Sequence, residues 1–122
     1  MALEALAQQG HFFHIYDFRV KAGTGDEFIR LFDTFDHSDE NPMHKSSAQV
    51  KDGVLCRDVA DPDHFWLIGE WRDIEVHAQI RKLFVDQIRP EFIKLIEGGK
   101  FVPHYGKIVS STPQEVLDKA QR

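Results

Sequence analysis

Side chains alternate along Phe12–Val20 in a way that predicts a β-strand. Phe12, His14, Tyr16, Phe18 and Val20 fall on one face, and Phe13, Ile15, Asp17 and Arg19 on the other. Apolar residues on both faces predict a strand covered on both sides. Lys21-Ala22-Gly23 closes it, and Thr24-Gly25-Asp26-Glu27 reads as a capping box opening a helix. Phe28, Leu31, Phe32 and Phe35 then recur at i, i+3, i+4 and i+7, the apolar stripe of an amphipathic helix. The polar, proline-containing stretch 36–47 predicts a loop. A second strand is expected over Ala48–Val59, with Asp52-Gly53 marking either a bulge or a tight hairpin turn. Asp61-Pro62-Asp63-His64 carries turn chemistry, and Phe65–Trp71 reads as a third strand, apolar on both faces.

Asp73 opens a second helix in which Val76, Ile80, Leu83, Phe84 and Ile88 keep helical spacing. Pro90 suits the first turn of a short following helix that turns Phe92, Leu95 and Ile96 inward, and Gly98-Gly99 predicts a left-handed cap. Phe101–Val109 is expected as a fourth strand. Thr112-Pro113-Gln114-Glu115 starts a C-terminal helix, with a capping box and a proline at its first position.

The order β-α-β-β-α-β is the split βαβ plan, an α+β ferredoxin-like sandwich with both helices on one face of an antiparallel sheet. The other sheet face then needs a cover, because an exposed sheet-sized apolar patch is unusual in a monomer. Two copies pairing those faces make a dimeric α/β barrel, so a homodimer is expected, with the tail helix at its interface. The chain divides into an N-terminal extension (1–10), a core domain (11–109) and a tail helix (110–122).

The 122 residues suit one domain and can bury a core without staples. With 42% hydrophobic residues and a net charge of -5, the chain is neither a disordered tail nor a basic nucleic-acid binder. A single cysteine excludes a disulfide framework and fits a reducing, cytoplasmic setting. No apolar run is long enough to span a membrane. Ten Phe and seven His exceed what packing needs, and suggest a pocket of aromatic rings with a few titratable groups.

Phe18-Arg19-Val20-Lys21-Ala22-Gly23 running into Asp26-Glu27-Phe28, then Arg57 through Pro62, then Phe65 through Trp71, followed by a Phe-rich helix, resembles the antibiotic-biosynthesis-monooxygenase family of dimeric α/β barrels. The likeness covers Phe12 to Val109. It implies a cofactor-independent monooxygenase acting with O2 on a small phenolic or quinol substrate. A non-catalytic binder of a small aromatic ligand, and an isomerase or cyclase, are alternatives on the same barrel. The family's haem-degrading branch needs an Asn, a Trp and a His. Their positions fall on Tyr16 and at or beside Ile80 and Pro90, which disfavours that chemistry. The histidine usual in the family's second helix falls on Ile80, with His77 one turn earlier.

Cofactor-free oxygenation calls for a base, donors to a developing oxyanion and a dry aromatic pocket. His14 is the expected base and Tyr16 the expected oxyanion donor; the plainer account is a buried pair that satisfies itself. Phe12, Phe18, Phe32, Trp66, Trp71, His77, Arg81 and Phe84 are the expected substrate contacts. Trp66 and Trp71, five apart, point to opposite sheet faces, so one lines the pocket while the other packs. His77 and Arg81, at i and i+4, suit an anionic oxygen, although a solvated helix flank is the commoner arrangement. His104 and Tyr105 face opposite ways, so one of the two reaches any given pocket. No metal is expected: His11 and His14 point apart, and His37 and His44 with Asp36, Asp39 and Glu40 read as a solvated loop.

Overall fold

The computed structural model describes residues 3–120, so the outermost ends of the expected extension and tail lie outside the described residues. Strands β1 (Phe12–Arg19), β2 (Gln49–Arg57), β3 (His64–Trp71) and β4 (His104–Lys107) form one antiparallel sheet in the order β2-β3-β1-β4. Helices α1 (Gly25–Asp36) and α2 (Ile74–Leu83) follow β1 and β3, and α3 (Gln114–Ala120) ends the chain. This is the α+β ferredoxin-like arrangement. On the helix side, Phe18, Phe28, Phe65, Phe92 and Ile96 form the heart of the core. No helix among the described residues is long and apolar enough to cross a membrane.

Thr24 stands at the N-cap of α1, but its side chain makes no capping bond; its hydroxyl donates back to the Lys21 carbonyl at 2.5 Å. The cap comes instead from the β2–β3 turn. There the Asp63 carboxylate accepts from the Gly23 and Gly25 N–H groups, each at 2.9 Å. Gly25 is needed for this approach, because a Cβ there would run into the Pro62 carbonyl.

Three other expectations are corrected. The second helix does not stay α-helical to Ile88: Phe84–Ile88 forms a π-turn, closed by the Arg89 N–H donating to the Phe84 carbonyl at 3.1 Å. Pro90 bars its predecessor from continuing a right-handed helix, and Arg89 adopts φ 46°. The segment after Pro90 is a 3₁₀ helix, Glu91–Leu95, that still buries Phe92 and Leu95. The fourth strand is shorter than Phe101–Val109: Pro103 has no N–H to offer, and past Lys107 only Ile108 keeps backbone bonds, to His11 and Gly10. At Asp52-Gly53 the pairing of β2 with β3 shifts register, which makes the feature a bulge. The loop 36–47 contains one 3₁₀ turn, Pro42–Lys45.

On the far face of the sheet Phe13, Ile15, Trp66 and Ile68 are half-buried, and Val54 is 57% exposed. The N-terminal segment covers one end of this face. There the buried Glu70 accepts from the Gln8 N–H at 2.9 Å and pairs with His11 Nδ1 at 2.8 Å. Gln114 of α3 holds the same segment, accepting from the Ala5 N–H and donating to the Leu3 carbonyl.

Candidate functional site

A cavity of about 600 Å³ of unfilled space, counting its open mouth, lies between the sheet and the helices. His14, Tyr16 and Phe18 of β1 form its floor, with Phe32, His77 and Phe84 from the helical layer around them. β1 alternation aims the three floor residues the same way, and the register places Tyr105 of β4 opposite His14.

One hydrogen bond sets the chemistry of the inner end. Trp71 is wholly buried, and its indole N–H donates to His14 Nδ1 at 2.7 Å. An indole nitrogen can only donate, so His14 Nδ1 carries a lone pair and the neutral ring keeps its proton on Nε2. Protonating Nδ1 would set two N–H groups against each other. Burial acts in the same direction and pushes the His14 imidazole down to about 4. Gly69 makes room for the ring: a Cβ there would lie 2.5 Å from His14 Cε1.

His77 stacks on His14 with centroids 4.5 Å apart and planes 18° from parallel. Burial, followed by the nearby His14 and Arg81, pushes His77 down to about 3. Its Nδ1 meets the Tyr105 hydroxyl at 2.9 Å, and its Nε2 is buried without a partner. Burial raises the Tyr16 hydroxyl well above its ordinary value against the opposing pull of Arg81, so Tyr16 stays a neutral donor. The inner end therefore holds two uncharged histidines and an un-ionised tyrosine.

These magnitudes reassign His14. A phenol titrating near ~10 would give its proton to a ring at about 4, uphill by about 8 kcal/mol. The ring is a poor base and a well-held N–H donor.

The mouth has opposite character. His44 Nε2 lies 2.9 Å from Asp52 Oδ1 and 3.4 Å from Asp36 Oδ1, and all three residues line the cavity. The two loop histidines part: His37 faces Asp33, while the bulge in β2 delivers Asp52 to His44. Asp36, His44 and Asp52 bring one ligand atom each within 4.8 Å of one another. Burial raises the Asp36 carboxyl, partly offset by His44.

The remaining sequence candidates are spread out. Trp71 sits behind His14 as its donor and does not line the cavity. Trp66 lies on the far sheet face, edge-on to His64, so it is not a cavity residue. Phe12 shares the His14 side of β1 but is outside the lining. Arg81 lies beside the cavity, its guanidinium over the Phe101 ring at 5.2 Å and donating to the Phe101 carbonyl at 2.5 Å. Sequence reasoning missed Tyr105 and Asp52, and read Asp36 and His44, which line the cavity mouth, as part of a solvated loop. Strand parity left Tyr105 as one of two choices; the pairing that places Asp52 is long-range and has no local signal.

The ferredoxin-like fold of this chain is shared with solved structures of antibiotic-biosynthesis-monooxygenase-like proteins. One such structure is a variant of SnoaB, a cofactor-independent oxygenase from Streptomyces nogalater. It is 14% identical, covers 85% of this chain and 98% of its own, and has a TM-score of 0.63. A protein of Bordetella bronchiseptica provisionally named an antibiotic biosynthesis monooxygenase is 18% identical, covering 84% of this chain and 100% of its own at a TM-score of 0.61. A conserved protein of Methanosarcina mazei Go1 is 15% identical, covering 80% and 91% at a TM-score of 0.60. No protein-family model and no curated protein sequence matches the chain.

Proposed function

We propose that the protein is a cofactor-independent monooxygenase of a small quinol, working as a homodimer. The observation that carries this reading is the Trp71–His14 bond, which holds a neutral Nε2–H donor in an aromatic cavity. A fixed donor in a water-poor site favours an oxyanion over the parent hydroxyl. One quinol oxygen rests against His14 and Tyr16. That inner hydroxyl loses its proton to solvent as the oxyanion forms against the two donors; the other points to the mouth, where His44, flanked by Asp36 and Asp52, takes the second proton as the ring is oxidised. The quinolate then gives electrons directly to O2. A ring C–H becomes C–O, one oxygen atom enters the ring, and the other leaves as water. The substrate loses four electrons and ends as a hydroxyquinone, with no external reductant. The dimer is proposed on the half-buried apolar far face, which the N-terminal segment covers at one end only.

Oxygen uptake with dihydroxynaphthalenes and metal-stripped protein tests this reading. Turnover is expected, with His14→Ala lowering kcat about 100-fold, as loss of one oxyanion donor does. Tight binding without oxygen uptake would make the protein a ligand carrier.

A further inference from the structure

A second hollow opens next to the first, with about 1030 Å³ of unfilled space including its open mouth. Phe84 and Phe101 line both hollows, so they are the shared wall. Its character is the reverse of the His44 mouth. Arg81, Arg89, Lys94 and Lys100 line it, against a single acid, Glu91. Glu91 is taken by Lys94, at 2.9 Å. Among the described residues no carboxylate lies within ion-pairing distance of Arg81, Arg89 or Lys100. In a chain of net charge -5, three unpaired cations around one hollow form a local reversal of sign.

The backbone supports this placement. Arg89 reaches the hollow from the π-turn Phe84–Ile88 at φ 46°, a left-handed conformation rare outside glycine and costly for a long side chain. Arg81 joins the two hollows: it lines the basic one, and its guanidinium covers Phe101, which lines both. Its Nε is buried with no partner, an unmet donor at the partition.

We infer that the substrate is amphipathic: an aromatic head fills the first cavity, and a carboxylate on a tether passes the Phe84–Phe101 wall to Arg89 and Lys100 in the second. This rests on the aromatic-cavity reading above and adds the substrate's charge. The acidic mouth at Asp36 and Asp52 repels the same carboxylate, which fixes the direction of entry.

The test compares a hydroxynaphthalene bearing an alkyl carboxylate with its methyl ester, by calorimetry at low salt and then at high salt. The acid is expected to bind at least ~10-fold more tightly than the ester, a preference worth about 1.4 kcal/mol. Salt should erode the preference. Arg89→Asn, chosen because asparagine tolerates left-handed backbone, and Lys100→Gln should abolish it while leaving ester affinity unchanged. An acid that binds no better than the ester, or a preference that survives both substitutions, overturns the inference. An acid that binds where the ester does not would keep the basic hollow and remove the aromatic reading instead.

Discussion

At the residue scale the chemistry of the cavity turns on which nitrogen of His14 holds a proton. Trp71→Phe removes the donor and leaves a buried Nδ1 unpaired, a cost of about 1–3 kcal/mol. It also frees Nδ1 to be protonated. His14 should then titrate above its value of about 4, read as nitrogen shifts across a pH series. An unchanged His14 titration would mean that burial alone sets its state. The sequence showed that His14 and Tyr16 share a face, because strand parity is local. It could not show that His14 is a donor, since that depends on Trp71 meeting it across a pairing 57 residues apart.

At the element scale the decisive case is the start of α1. Sequence reasoning gives the cap to Thr24; the structure gives it to Asp63. Asp63→Ala should therefore cost about 1–2 kcal/mol in urea unfolding, while Thr24→Ala should cost less than about 0.5 kcal/mol. The reverse order would restore the local capping box. Strands β1 and β3 and helix α1 were legible because their apolar periodicity is strong and their ends carry turn residues. The π-turn was not, because Phe84 and Ile88 continue a helical spacing that Pro90 prevents the backbone from keeping. The short β4 was not either, since its pattern hides the missing N–H of Pro103.

At the scale of the whole molecule, buried neutral histidines couple stability to pH. His14 sits at about 4 when folded and near 6.5 when unfolded, so below pH 6.5 the unfolded chain binds a proton that the folded chain refuses. Stability is full above about 6.5 and falls by about 3 kcal/mol as pH drops to 4, with His77 acting in the same direction. His64 works oppositely. Asp58, at 3.0 Å, raises it, so its contribution is present below 6.5 and lost as pH rises through its folded value. Urea midpoints at pH 7 and pH 4.5 should differ, with the loss at low pH smaller in His14→Gln and larger in His64→Gln. The expected homodimer belongs to this scale too: light scattering should give twice the protomer mass, and a stable single protomer would leave the far sheet face unexplained.

The most direct measurement is the ionisation of a phenol held in the cavity. p-Nitrophenol, whose anion is yellow, can be titrated in complex with the protein by absorbance, without oxygen or turnover. A neutral histidine N–H aimed at its oxygen should lower the bound phenol's apparent pKa by about one unit or more, and His14→Ala should cancel the shift. A bound phenol that titrates at or above its free value would contradict the donor role and the oxyanion chemistry built on it.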